Sequence, residues 1–235
     1  MIAVFETYDT AFVGVPGCLA TGVLRSFYGL EHGAAFDRDA FGGNIHRYYR
    51  QLAAPYVTAQ EPPDLDGLAG FWCFTILRNP IQRLLGVHAD RVLRHRDIAK
   101  CFNRPGFREE HEGALDGLSS MPDIDAFFRD LPRYRALVPA IRHHTDPFAR
   151  FLGPDPGRFD AVYHVEDVAR LLLGLSERVG QPVAFDTTRP AASSVRFSAL
   201  SVQAQDQIIA QTEADFALLS DHYSLEHSLH AMQAA

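Results

Sequence analysis

The sequence predicts an α/β fold with a central parallel sheet flanked by helices, and three stretches carry that expectation. Phe71 to Leu77 is a continuous apolar run, rich in aromatics and too short for a helix, as a strand buried on both faces would be. Ala11 to Val15 reads as a second core strand. It ends in the small-residue loop Pro16-Gly17-Cys18-Leu19-Ala20-Thr21-Gly22, and a helix of Val23, Leu24, Phe27 and Tyr28 follows. Phe159 to Val165 alternates apolar with polar residues as a strand does. Glu166-Asp167 then caps a helix of Val168, Leu171, Leu172, Leu173 and Leu175.

The first of these stretches organises the rest. Arg78-Asn79 ends the strand, and Pro80 suits the first turn of a helix, where no N–H is needed. Ile81, Leu84, Leu85, His88 and Val92 recur at helical spacing and are expected to face the sheet. Arg78 therefore stands at the carboxyl edge of the sheet beside a helix N-terminus, where an anion is favoured. From Arg78 to Arg108 there are eight basic residues against two acidic ones, Asp90 and Asp97. For Arg94, Arg96, Arg104 and Arg108 a solvated helix face accounts for the charge; for Arg78 anion binding accounts for it better.

Elsewhere the chain offers smaller elements. Ile2 to Phe5 is a further apolar run, and Asn44 to Ala53 suits a short helix carrying His46, Tyr48 and Tyr49. Gln60 to Gly67 is a polar loop with prolines, and Asn103 to Gly117 is polar and expected at the surface. Pro122 to Asp125 starts a helix through Phe127 and Phe128, and Pro132 begins another. Ile141 to Phe148, with Arg142, His143 and His144, reads as a polar loop that would otherwise line a pocket. Pro182 to Phe185 suits a short strand, Arg189 to Arg196 a small polar loop, and Leu200-Ser201 the start of a long helix through Ile208, Ile209 and Phe216.

Composition bounds the class. The 235 residues are 47% hydrophobic, carry a formal net charge of -7, and show no linker, so a single α/β domain over 1–235 is expected. The acidic balance argues against a general nucleic-acid binder. No run approaches the ~20 apolar residues of a membrane span, and no basic-then-apolar leader opens the chain. Three widely spaced cysteines suggest neither a metal site nor a disulfide framework, and a cytoplasmic setting follows. Lys100 is the single lysine; every other cationic side chain is arginine or histidine.

In order, these segments resemble the sulfotransferases that use 3'-phosphoadenosine 5'-phosphosulfate (PAPS), specifically the carbohydrate-type branch, over most of the chain. The strand into Val15-Pro16 with the loop to Thr21 is similar to that family's loop for the 5'-phosphosulfate. Phe74-Thr75-Ile76-Leu77-Arg78-Asn79-Pro80 to Leu85 is similar to its second signature, whose arginine grips the 3'-phosphate. His144-Thr145-Asp146-Pro147 resembles a His-x-x-Pro segment on the substrate side, and Phe159 to Asp167 and Leu200 to Phe216 resemble two later landmarks. The sequence departs from the pattern twice: Gly17 stands where the family has a lysine, and Gly86 where it has a serine.

The resemblance implies a three-layer P-loop-type fold and sulfuryl transfer from PAPS, without a metal, to a hydroxyl of a sugar, glycan or small metabolite. Such a transfer is an in-line displacement driven by positioning and electrostatics. Gly17, Cys18, Ala20, Thr21 and Gly22 would hold the donor, Thr21 adding a hydroxyl to the loop amides. Arg78 would hold the 3'-phosphate, joined by Ser193, Ser194 and Arg196. Among eleven histidines, His46 and then His144 are the candidate bases for the acceptor hydroxyl, with Arg142 and His143 on the substrate side. Arg25 or Arg142 would supply the charge that a lysine at position 17 would carry. Cys18, at a helix start, is either an activated thiol or a small buried side chain, and the second is expected. The alternative is a catalytically degenerate protein of the same fold that binds a nucleotide or a protein partner. A small kinase is a third reading, but the sequence lacks a glycine-rich lysine loop for ATP.

Overall fold

The structure, a computed structural model, describes residues 1–37, 39–52, 56–57, 64–185 and 196–234. In chain order the elements are β1 (Ile2–Phe5), β2 (Thr10–Val13), α1 (Ala20–His32), α2 (Ile45–Leu52), β3 (Tyr56–Val57) and β4 (Trp72–Leu77). Six helices follow: α3 (Pro80–Val87), α4 (Asp97–Phe102), α5 (Phe107–Glu110), α6 (Ile124–Arg129), α7 (Leu131–Leu137) and α8 (Pro139–Thr145). The chain then runs through α9 (Ala149–Leu152), β5 (Ala161–His164), α10 (Val168–Val179), α11 (Val202–Leu218) and α12 (Leu225–Ala234). It divides into two compact units, Met1–Arg78 with Phe148–Pro190, and Asn79–Pro147 with Ala191–Ala235.

The first unit is α/β, with a sheet ordered β3-β1-β2-β4-β5 and flanked by helices. β2, β4 and β5 are parallel, pairing Val13 with Thr75 and Leu77 with His164. The expected central parallel sheet is found over β2, β4 and β5, but the sheet is mixed: β1 runs antiparallel to both β2 and β3. The cause is local. Only the tight turn over Glu6–Tyr8 and Asp9 joins β1 to β2, whereas a parallel pair needs a crossover of a dozen residues or more.

One face of the sheet presents Ala3, Phe5, Phe12, Phe74, Ile76 and Tyr163, packed in one core with Val23, Leu24 and Phe27 of α1, Ile45 and Tyr49 of α2, and Leu171 and Leu175 of α10. Phe5 stacks on Phe27 with ring centres 3.7 Å apart. On the alternate positions Val4, Ala11, Val13, Cys73, Thr75 and Leu77 are buried as well. Burial on both faces is why β2 and β4 read as unbroken apolar runs rather than alternating ones. Thr75, the polar exception, donates its hydroxyl to the Val13 carbonyl at 2.8 Å.

The second unit is helical. Ile81, Leu84, Leu85 and Val92, expected against the sheet, instead join a core with Phe127, Phe128, Tyr134, Ile141, Ile208 and Phe216. Periodicity identified the apolar face of α3 but not its neighbours, because a helix stripe fits a sheet or another helix equally well. Asn79 caps α3 by accepting from the N–H groups of Ile81 and Gln82, with Pro80 at the first position as expected. The helical run continues through a wider π segment over His88–Arg94. Ile141 to Phe148 is not a loop: most of it is α8, so Arg142, His143 and His144 fill that helix's last turn. A cation such as Arg142 at a helix C-terminus is favoured by the helix dipole, and composition alone read the stretch as a turn. Phe107 in the stretch expected at the surface is buried. In the first unit Pro182 to Phe185 forms no strand; Val183 donates its N–H to the Ser176 hydroxyl, and Ala184 accepts from Ser26. The remaining helix starts fall where their caps predict, with Asp123, Asp167 and Ser201 each accepting a first-turn N–H.

Candidate functional site

Within the first unit, β2 and β4 are parallel neighbours, so both chains leave the sheet at the same carboxyl edge. Continuing their register two residues beyond Val13 and Thr75 brings Val15 level with Leu77, and Arg78 level with the loop that begins at Pro16. The Arg78 guanidinium closes that gap, its Nη1 donating to the Gly17 carbonyl at 3.5 Å. Loop and strand-end arginine, singled out separately by sequence, are thus side by side.

The loop turns on two left-handed residues. Gly17 has φ +85° and Leu19 has φ +57°, with Cys18 between them outside the positive-φ set. The Gly17 carbonyl faces Arg78, and the Cys18 N–H of the same peptide bonds back to Val15 at 3.1 Å. Leu19 is the N-cap of α1 and its side chain gives no capping hydrogen bond. Most helices start with Ser, Thr, Asp or Asn. Here the first-turn N–H groups of Ala20, Thr21 and Gly22 have no intrahelical acceptor and no N-cap side chain serving them. Cys18 is fully buried, and its N–H turns back to Val15, as expected of a packing residue.

Thr21 and His46 meet, Thr21 Oγ1 lying 3.0 Å from His46 Nε2. Asn44 starts α2 by accepting the His46 N–H, which places the imidazole on the turn facing α1. Burial and the positive charges of Arg50, the Met1 amino group and Arg25 push the His46 pKa down to about 4. The ring is therefore neutral at physiological pH and offers one N–H and one lone pair. Arg50 was missed by sequence reasoning, although its spacing of four from His46 on one helix was a usable signal. Next to this region Tyr48 donates to His32 Nε2 at 3.0 Å and packs edge-on to Tyr28, Phe41 and Tyr49.

The other expected residues lie elsewhere. Ser193 and Ser194 fall outside the described residues. Arg196, Arg142, His143 and His144 belong to the second unit. Arg196, Arg142 and His143 are exposed there, while His144 donates through Nδ1 to the Ala140 carbonyl at 2.8 Å. Burial and then Arg91 hold the His144 pKa down, at about 3. Arg91 itself is paired with Asp97 at 2.5 Å. Gly86 lies within α3. Among the described residues, no three His, Cys, Asp or Glu side chains gather as metal ligands would, and no helix is long and apolar enough to cross a membrane. No family model matches the sequence, and no curated protein or solved structure matches the chain.

Proposed function

We propose that the first unit binds the anionic end of a phosphorylated nucleotide, and that the protein is a PAPS-dependent sulfotransferase acting on a hydroxyl of a sugar, glycan or small metabolite. The observation that carries this reading is the approach of Arg78 to Gly17 across the carboxyl ends of two parallel strands. Guanidinium, loop amides and the Thr21 hydroxyl supply the donors that a phosphoryl or sulfuryl group accepts from. Neutral His46 beside Thr21 supplies a lone pair for an acceptor hydroxyl. A three-layer P-loop-type arrangement is part of the same proposal, as are a reaction without a metal and a cytoplasmic setting, which suits three free cysteines.

A specific observation also favours the alternative of a binder that transfers nothing. Gly17 occupies the position of the family's lysine with φ +85°, so the turn is built around glycine and holds no cation of its own. Calorimetric titration with adenosine 3',5'-bisphosphate, ATP and AMP tests the shared premise. Micromolar binding selective for the bisphosphate is expected. Absence of binding to all three would end both nucleotide readings and leave a protein partner to be sought. If the bisphosphate binds, turnover of PAPS against a panel of sugars separates transferase from binder.

A further inference from the structure

We infer that the end of the π segment over His88–Arg94 is an acid-released latch, in which a neutral His95 holds Arg94 in place and a protonated one expels it. The latch lies wholly within the second unit and is independent of the nucleotide reading. π turns are rare and occur mostly as single-turn bulges, so seven residues in this register call for a local cause. The His95 N–H closes the last turn by donating to the Asp90 carbonyl at 2.9 Å, five residues back. Arg94 bridges the side chains of the same two residues. Its Nε and Nη2 donate to His95 Nε2 at 3.3 and 2.9 Å, and Nη2 lies 3.2 Å from Asp90 Oδ1.

A guanidinium has donors only, so His95 Nε2 offers its lone pair and the ring carries its one proton on Nδ1. A proton taken from solvent at Nε2 removes that acceptor and sets two cations face to face. The charged groups around His95 are balanced before it arrives: Asp90, Arg91 and Arg94 on its own segment, and Asp97 on α4. Arg91 is already held by Asp97 at 2.5 Å and by Asp90 at 3.7 Å, and His144 of α8 shares the field of Arg91 and Asp90. Asp90 Oδ1 lies 3.8 Å from His95 Nε2, so a charged ring and Arg94 compete for one carboxylate oxygen. Burial and then Arg91 hold the His95 pKa below the ordinary histidine value, so the closed turn prefers the neutral ring. The opened turn binds the proton more readily, and acid therefore favours release. The latch is expected in full above pH ~6.5 and to be lost as the pH falls below it.

Amide exchange read by NMR at pH 7.5 and 5.0, each rate corrected for its intrinsic pH dependence, tests the latch. Protection of the His95 amide in the wild-type protein is expected to fall roughly twofold or more in acid. His95→Gln keeps a side-chain carbonyl that accepts from Arg94 without titrating, so the amide at that position should be equally protected at both pH values. Arg94→Gln leaves no cation to expel and should raise the pH at which the His95 ring titrates, read from its Cε1 proton. Both substitutions fall on partly exposed side chains, and either one carries the test if the other does not fold. Equal protection of the wild-type amide at both pH values would overturn the inference. A fall of the same size in His95→Gln would do so too, assigning the effect to buried groups such as His88 and His144. An imidazole titration unmoved by Arg94→Gln would likewise end it.

Discussion

Gly17 is the residue at which sequence and structure say different things about one substitution. By sequence it is a missing lysine, and restoring the lysine should restore charge. By structure its φ of +85° lies in the left-handed region, where a Cβ is strained. Gly17→Lys is therefore expected to cost about 1–2 kcal/mol of stability, and Gly17→Ala, which adds no charge, about as much. Urea unfolding of both variants checks this; unchanged midpoints would show that the turn does not depend on glycine. Arg83 teaches a similar lesson. It counts as one of eight positives in a basic run, yet its side chain is only 2% exposed. No pattern in the neighbouring sequence separates it from Arg94 or Arg104, which form surface pairs with Asp90 and Glu110. Burial of a charge depends on partners far along the chain, here Asp215, and spacing along one helix does not reveal them.

At the scale of elements, that arginine ties helices of the second unit together. From α3 it donates to the Asp146 carbonyl at 2.5 Å, just beyond α8, and faces the buried Asp215 carboxylate of α11 at 3.6 Å. Arg135 of α7 completes the group, donating to Asp146 Oδ1 at 3.1 Å and Thr145 Oγ1 at 2.6 Å. Removing one member of a buried pair costs more than the pair is worth, because the other charge stays desolvated. Arg83→Ala is expected to lose about 3–5 kcal/mol, and adding Asp215→Ala should recover part of that loss. A double-mutant cycle by chemical denaturation reads both numbers; a strictly additive double variant would deny the coupling. Elements with strong local signals were legible in sequence: β4 from its apolar run, α3 from Asn79-Pro80, α10 and α11 from Asp167 and Ser201. Those with competing local signals were not. The turn chemistry of Ile141 to Phe148 concealed α8, and the apolar Pro182 to Phe185 suggested a strand where none forms.

Across the whole molecule, buried histidines are expected to contribute to destabilisation by acid. His46 in the first unit and His88 and His144 in the second all have pKa values pushed down, chiefly by burial. An unfolded histidine takes up its proton near pH 6.5, while His46 and His144 resist down to about 4 and about 3. In that window the unfolded chain binds more protons, so acid favours unfolding. Stability is therefore expected in full above pH 6.5 and to fall as the pH drops toward 4. Urea midpoints at pH 7.0, 5.5 and 4.5 test this, and His46→Gln with His144→Gln should flatten the decline. A midpoint that stays level from pH 7 to 4.5 in the wild-type protein would contradict it.

The sequence alone determined the α/β class and the buried strands β2 and β4, and it singled out Pro16 to Gly22 and Arg78. These follow from short-range physics: apolar runs that must leave water, residues that cap helices, and a strand that passes into a helix. Tertiary structure decided the direction of β1, the helical neighbours of α3, the burial of Arg83, and the meetings of Arg78 with Gly17 and of Thr21 with His46. Each depends on which distant segments become neighbours, and local periodicity carries no record of that choice.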